Sequence, residues 1–150
     1  MLVFLSLGAN IGNREQTINK AIEFLSEQVG PLIKRSSFYY SKPWGFESPN
    51  DFCNICASFE TELSPLALLH TTQSIERALG RNHKSEVNCA LAAENSQITN
   101  HKSVYKDRCI DIDILLYGDI RISTPELTIP HINMEKRDFV MVPLQEITEK

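Results

Sequence analysis

A regular alternation over residues 52–63 constrains the fold more than any other feature of the chain. Successive side chains of a strand point to opposite faces of a sheet. One alternating set is apolar and predicts a core face: Cys53, Ile55, Ala57, Phe59 and Leu63. The intervening residues are half polar, so their face can meet water or a ligand. The segment therefore predicts a long strand of an antiparallel sheet with one core face.

Helical patterns precede and follow this strand. Asn13 is placed to cap a first helix, and Gly30 ends its apolar periodicity. Ser64 is a cap followed by proline at the first helical position, and Gly80 ends this second helix. Both helices carry apolar residues at helical spacing, so each is predicted to pack one face on the sheet.

The order of elements indicates the fold class. Further strands are predicted at residues 2–7, 32–40, 110–117 and 120–122, with a short helix near 133–140. Strand, helix, strand, strand, helix, strand is typical of an α+β sandwich of the ferredoxin-like kind. We therefore expect an antiparallel sheet with helices on one face and the active site on the other.

Length and composition limit the organisation and the partners. A chain of 150 residues with 42% hydrophobic and 23% charged residues predicts one globular domain, residues 1–150. The net charge of -4 argues against a nucleic-acid binder of the basic-patch kind. Neither a long apolar run nor a basic leader is present, so we expect a cytoplasmic protein without a membrane partner. Residues 81–107 lack periodicity, and a loop of this length is usually functional or disordered.

The cysteines are predicted to be free thiols. Cys53 and Cys56 are three residues apart on the predicted strand, so they point to opposite faces. A four-thiolate zinc site needs a second closely spaced pair, which Cys89 and Cys109 do not form. Free thiols in a reducing compartment are therefore the better interpretation.

Two aspartates form the sharpest chemical feature. Asp111 and Asp113 alternate with isoleucines, so both carboxylates share one face of a strand, with Cα atoms about 6.5–7 Å apart. Hard oxygen ligands at this spacing suit Mg²⁺ that shares its coordination shell with substrate phosphates. The alternative is a solvated polar face of an edge strand. The flanking isoleucines and the preceding Arg108 favour the metal site.

Cationic and aromatic residues suggest two further ligand contacts. The cations could neutralise a nucleoside triphosphate, although taken alone they are better explained as a solvated basic loop. They are Arg81, His83, Lys84, His101, Lys102, Lys106, Arg108, His131 and Arg137. Trp44, Phe52 and Phe139, with the amide of Asn54, could enclose a flat heterocycle, whereas core packing is the alternative for the phenylalanines. The glycine-containing segment 6–13 matches no phosphate-binding motif and is better read as a tight turn.

Taken in order, these motifs resemble those of the 6-hydroxymethyl-7,8-dihydropterin pyrophosphokinases of folate biosynthesis, from about Leu2 to Ile147. The matching segments are Leu7-Gly8-Ala9-Asn10, Pro43-Trp44-Gly45, Phe52-Cys53-Asn54, Gln73-x-x-Glu76, Gly80-Arg81, Arg108-x-x-Asp111-x-Asp113, Leu127-Thr128-Ile129-Pro130-His131 and Arg137-x-Phe139.

The resemblance implies Mg²⁺-dependent transfer of pyrophosphate from ATP to the hydroxymethyl group of the pterin, leaving AMP. It implies that Asp111 and Asp113 hold two Mg²⁺ ions and act in catalysis with Arg81 and Arg108. The implied ATP-binding residues are Gln73, Glu76, Arg81, His83, Arg108, Ile114 through its backbone, Thr128, His131 and Arg137. The implied pterin-binding residues are Ser41, Lys42, Trp44, Phe52, Asn54 and Phe139. Residues 81–107 would form the catalytic lid, and a monomer is expected.

Two other functions remain open at this point. A non-enzymatic ferredoxin-like module could bind nucleotide or RNA, because this fold hosts unrelated functions. A metal-dependent phosphohydrolase could use the same aspartates. The chain contains neither a zinc-protease H-E-x-x-H motif nor a serine-hydrolase spacing, so those classes have no support.

Overall fold

The computed structural model describes residues 1–42, 51–80, 110–131 and 134–148. Its elements are β1 (Leu2–Ala9), α1 (Arg14–Gln28), β2 (Leu32–Arg35), β3 (Tyr39–Ser41), β4 (Phe52–Glu60), α2 (Pro65–Ala78), β5 (Asp111–Tyr117), β6 (Ile122–Ser123), β7 (Thr128–Ile129) and α3 (Asp138–Thr148). The central antiparallel sheet has the order β2-β4-β1-β5. Strand β3 pairs with the first residues of β4, on the same edge as β2, which pairs with its later residues. This topology confirms the predicted α+β fold class.

The predicted strand over residues 32–40 is divided into β2 and β3. Ser36 is buried at the break, where its N–H donates to the carbonyl of Cys56 at 2.9 Å. The N–H of Cys56 in turn donates to the Ser36 hydroxyl at 3.0 Å, so a side chain replaces a backbone acceptor in the ladder. The strand bends there, which explains why a single strand was the wrong expectation.

The predicted core face of β4 is confirmed. Cys53, Ile55, Ala57 and Phe59 are fully buried, and they pack with the apolar stripes of α1 and α2. The strand ends at Glu60 rather than at residue 63, because the next residue, Thr61, turns the chain. Its hydroxyl donates to Val29 O at 2.7 Å and accepts from Leu63 N at 3.1 Å.

The opposite face of the sheet carries a third helix. Helices α1 and α2 lie on the predicted face, whereas α3 packs Val140, Leu144 and Ile147 on Cys56 and Leu115. The short helix expected at 133–140 is instead a 3₁₀ turn at Met134–Lys136 followed by the longer α3. Pro143 does not end α3, because its ring is buried and this packing offsets the hydrogen bond that proline removes.

The remaining elements lie at the edge beyond β5. The strand expected at 120–122 begins later, because Ile120 forms an isolated bridge with Tyr117 and β6 pairs with β7 as a separate hairpin. Among the described residues, no helix is long and apolar enough to cross a membrane. Helix α3 covers one end of its sheet face, and the site described next lies at the other end.

Candidate active site

Two rows of residues cross the sheet on the face that α3 only partly covers. Gly8 on β1 pairs with Asn54 on one side and with Asp111 on the other. Ser6 likewise lies between Cys56 and Asp113. Adjacent strands are about 4.8 Å apart, so the backbones of Asn54 and Asp111 are about 10 Å apart. The buried amide of Asn54 and the carboxylates of Asp111 and Asp113 therefore lie on a common surface, on either side of β1.

Gly8 leaves the space that the Asn54 side chain occupies. A Cβ atom at Gly8 would lie 2.7 Å from Asn54 Oδ1 and 3.7 Å from the Phe52 ring. The glycine is thus required by packing and not by an unusual backbone angle. The predicted cap is confirmed, since Asn13 Oδ1 accepts from Gln16 N at 3.1 Å. The packing role of Gly8 was missed, although a glycine inside a strand often marks a close approach.

The Asn54 amide has a defined orientation. Its side chain is 2% exposed, and Nδ2 donates to Ser41 Oγ at 2.9 Å and to Tyr39 O at 3.3 Å. An amide nitrogen has two protons, so both are used within the protein, and Oδ1 lies against Gly8. Ser41 and half-buried Phe52 are paired neighbours on β3 and β4. The structure therefore brings together three of the residues expected to contact the pterin.

The carboxylates of Asp111 and Asp113 lie as the alternation predicts. Both aspartates are half-buried, whereas Ile110, Ile112 and Ile114 point to the core on the opposite face. The intervening Ile112 N donates to Glu76 Oε2 on α2 at 2.7 Å. Glu76 is buried beside the strand that carries both aspartates.

Two nitrogen-bearing side chains lie near Asp113. His131 Nε2 is 3.7 Å and Arg137 Nη1 is 3.8 Å from Asp113 Oδ2. The Arg137 guanidinium lies over the Phe139 ring, 5.6 Å from its centroid. Burial, and then the charge of Arg137, lower the pKa of His131, while Asp111 opposes this shift. The lowered pKa favours the neutral imidazole of His131, and Arg137 supplies a positive charge beside Asp113.

Backbone hydrogen bonds set the position of His131. The register of β1 against β5 shifts between Phe4 and Leu5, and Leu115 has no β1 partner at that point. Leu115 O accepts from His131 N at 3.2 Å, and His131 O accepts from Met134 N at 3.1 Å. The irregularity in β5 thus anchors the segment that places His131 beside Asp113.

A cavity of about 530 Å³ lies between the β6–β7 hairpin and the 3₁₀ turn. Its lining includes Thr128 and His131, both expected to bind ATP. It also includes Arg121 and Lys136, which the sequence analysis did not predict as site residues. Neither belongs to a motif, and only the folding of the hairpin against the turn brings them together.

The other residues expected at the site are exposed, contribute only their backbone, or lie outside the described part of the chain. Gln73 is exposed on α2, one turn before Glu76. The Ile114 side chain is buried, but its backbone has the orientation of Ile112, so its N–H and C=O face away from β1. Lys42 is exposed after β3. Trp44, Arg81, His83, Arg108 and the loop at 81–107 lie outside the described residues.

The two carboxylates suit Mg²⁺ better than they suit a metal ion that is coordinated entirely by protein side chains. Within the described parts of the chain, no group of three or more His, Cys, Asp or Glu side chains could hold a metal ion. Two carboxylates leave coordination positions for waters and substrate phosphates, which is the usual arrangement for Mg²⁺. Cys53 and Cys56 are buried free thiols on opposite faces, as predicted, so the zinc alternative has no support there.

An α+β sandwich with a carboxylate pair beside a basic cavity is suited to metal-assisted phosphoryl transfer. The family model described as 7,8-dihydro-6-hydroxymethylpterin-pyrophosphokinase (HPPK) matches residues 4–149. The chain belongs to this family.

Proteins from several bacteria are similar to the chain over nearly its whole length, and each is named a 2-amino-4-hydroxy-6-hydroxymethyldihydropteridine pyrophosphokinase. The protein from Porphyromonas gingivalis is 44% identical over 147 residues, which cover 97% of this chain and 90% of the relative. The Haemophilus influenzae protein is 37% identical, with 96% of this chain and 79% of the relative covered. The Bacillus subtilis protein is 33% identical, with coverage of 99% and 79%.

Solved structures show the same fold at lower identity. The wild-type HPPK-DHPS of Plasmodium falciparum superposes with a TM-score of 0.62 at 14% identity. An HPPK-DHPS structure in complex with substrates gives a TM-score of 0.59 at 16% identity. Both alignments cover 97% of this chain and 40% of the larger chain. This likeness confirms the fold, and the chain corresponds to less than half of those proteins.

Proposed function

We propose that the chain transfers the pyrophosphoryl group of ATP to the hydroxymethyl oxygen of 6-hydroxymethyl-7,8-dihydropterin in folate biosynthesis. The hydroxymethyl oxygen loses its proton to solvent and bonds to the β-phosphorus, the bond from that phosphorus to the α,β-bridging oxygen breaks, and AMP leaves with that oxygen. The observation that carries the proposal is the row Asn54–Gly8–Asp111, in which a buried amide and a carboxylate lie on either side of one glycine. The family membership supports the same reaction.

Asn54 would orient the acceptor. Its Oδ1 atom accepts hydrogen bonds, so the bound ring must present an N–H donor, as the 2-amino group of a pterin ring does. Phe52 would supply an apolar surface beside it, and Gly8 leaves the space that the Asn54 amide needs. Ser41 acts through its bond to Asn54 Nδ2. Lys42, Trp44 and Phe139 complete the proposed pterin-binding set.

Asp111 and Asp113 would hold two Mg²⁺ ions, which would neutralise charge on the ATP phosphates. The carboxylates lie on a strand that is packed in the core on its other face, so the backbone that carries them is fixed before the ions bind. Arg137 lies 3.8 Å from Asp113 and offsets part of the repulsion between the two carboxylates. The neutral His131 can donate a hydrogen bond to a phosphate or carboxylate oxygen.

The cavity lined by Thr128 and His131 is the proposed nucleotide site. The outward-facing backbone of Ile114 would meet the adenine, and Gln73, His83 and Arg137 belong to the proposed ATP-binding set. Arg81 and Arg108 would stabilise charge on the transferred group. Residues 81–107 would close over both substrates within a single domain, 1–150, and exclude water.

A cytoplasmic monomer that binds neither nucleic acid nor membranes completes the proposal. Its support is the acidic balance of the chain and the free, buried thiols of Cys53 and Cys56, which suit a reducing compartment.

The test is a reaction with ATP, Mg²⁺ and the pterin, followed by chromatography of the nucleotides, with a control that lacks pterin. AMP that forms only with pterin is expected. Inorganic phosphate released without pterin would instead indicate a phosphohydrolase. Absence of AMP together with tight, salt-sensitive RNA binding would favour the non-enzymatic module.

A further inference from the structure

We propose that Glu76 is a positioning residue for the carboxylate pair, which it holds through the backbone of β5. The inference rests on the proposed function, because it assumes that Asp111 and Asp113 bind the metal. The family resemblance implies an ATP contact for Glu76, whereas the structure gives its carboxylate a different partner within the protein.

The central observation is one hydrogen bond between distant parts of the chain. Glu76 Oε2 accepts from Ile112 N at 2.7 Å across 36 residues of sequence. Ile112 lies directly between the two aspartates, so this bond acts at the midpoint of the metal-binding segment. The side chain of Glu76 is 8% exposed, which makes the bond a buried, charge-assisted one.

The position of β5 explains why such support is needed. In the described sheet, β5 is the last strand of the order and pairs with β1 on one side. Asp111 and Asp113 pair with Gly8 and Ser6, and the N–H of Ile112 faces the other way, toward α2. An edge strand can shift or bend on its open side. The Glu76 carboxylate constrains β5 there, where neither β1 nor a further described strand does.

The location of Glu76 on α2 strengthens the inference. Helix α2 ends at Ala78, so Glu76 lies in its last turn, where the helix dipole disfavours a negative charge. Burial adds a desolvation cost. Thr72 and Ile75 on the same helix are also buried, so α2 is packed closely enough to keep the carboxylate at β5. The bond from Ile112 N helps to offset these costs, and it links the position of α2 to that of the metal-binding segment.

The inference is tested with Glu76→Ala and Glu76→Gln, and with Ser74→Ala as a matched control on the exposed face of α2. Three quantities are measured: hydrogen exchange of the Ile112 amide by NMR, Mn²⁺ affinity by electron paramagnetic resonance without nucleotide, and ATP affinity in EDTA. None of these requires turnover, so they remain informative if AMP formation fails.

For Glu76→Ala we expect faster exchange of Ile112 and a loss of about tenfold or more in Mn²⁺ affinity, the usual effect of removing an outer partner of a metal ligand. ATP affinity in EDTA should not change. Glu76→Gln keeps an oxygen that accepts from Ile112 N, so its Ile112 exchange rate and its Mn²⁺ affinity should be closer to those of the wild type than to those of Glu76→Ala. Ser74→Ala should match the wild type.

Two results would overturn the inference. A fall in metal-free ATP affinity with unchanged Mn²⁺ affinity would make Glu76 an ATP contact. Unchanged Mn²⁺ affinity with rapid exchange of Ile112 would show that the bond does not support the metal site. Should Glu76→Ala fail to fold by circular dichroism, Glu76→Asp replaces it, because its carboxylate is one methylene shorter and loses the bond to Ile112 N, and unchanged Mn²⁺ affinity in that variant would likewise refute the role.

Discussion

Replacement of Gly8 by alanine should damage the pterin site selectively. The added Cβ atom would lie 2.7 Å from Asn54 Oδ1, and ordinary contact begins at 3.4 Å, so the amide must move by about 0.7 Å. That movement strains the bonds from Asn54 Nδ2 to Ser41 and Tyr39. Because Asn54 is almost fully buried, no alternative position is open to it.

The expected magnitudes follow from this geometry. Overpacking a buried site costs about 1–3 kcal/mol of the free energy of unfolding, and each weakened side-chain bond contributes about 1 kcal/mol of that. A misdirected Oδ1 atom loses one hydrogen bond to the pterin, so the pterin concentration at half-maximal rate should rise about tenfold. The half-saturating ATP concentration should stay the same, because the proposed ATP cavity lies beyond β5.

The assay is AMP formation at varied pterin and at varied ATP, together with urea unfolding. A double-mutant cycle provides the control, because Asn54→Ala removes the atom that Gly8→Ala would strike. In the Asn54→Ala background, Gly8→Ala should cost much less in stability. An equal cost in both backgrounds would refute the reasoning, and so would a change in ATP saturation alone.

Three further predictions follow from other parts of the structure. Asp113→Asn should abolish AMP formation without changing the circular dichroism spectrum, since a neutral amide is a poor Mg²⁺ ligand; wild-type turnover would disprove the metal assignment. Burial raises the pKa of Cys53 to about 11 and that of Cys56 to about 12, so in a Cys89→Ser, Cys109→Ser variant iodoacetamide at pH 8 should label both thiols only after denaturation. Labelling of the native variant would contradict this burial. Ser36→Ala should lower the free energy of unfolding by about 1–3 kcal/mol, because the buried N–H of Cys56 loses its acceptor; a loss below about 0.5 kcal/mol would show that water or backbone replaces the hydroxyl.

Local patterns were sufficient to predict the parts of the site that depend on periodicity. Alternation placed Asp111 and Asp113 on one face, and it placed Cys53 and Cys56 on opposite faces. The starts of α1 and α2 could also be predicted from local sequence, because Asn13 and Ser64 accept their capping bonds from residues three positions ahead. In each of these cases the physical cause lies within a few residues of the feature.

The features that were missed depend on contacts between distant residues. Ser36 interrupts a strand only because Cys56, on another strand, uses its hydroxyl. Gly8 matters because the Asn54 side chain approaches it from β4. The bond from Glu76 to Ile112 needs α2 to pack against β5. Such pairings cannot be inferred from one sequence without the fold.

The extent of α3 was misjudged for a related reason. A proline at position 143 suggests the end of a helix, whereas the burial of Leu144 and Ile147 against the sheet extends the helix to Thr148. Tertiary packing here outweighs a local preference.

The most direct test of the proposed reaction is ³¹P NMR of the products formed from ATP, Mg²⁺ and 6-hydroxymethyl-7,8-dihydropterin. Intact transfer should give AMP and a pterin diphosphate in equal amounts, with two coupled phosphorus resonances on the pterin and no orthophosphate. A pterin monophosphate with ADP, or orthophosphate with unmodified pterin, would contradict pyrophosphoryl transfer by this chain.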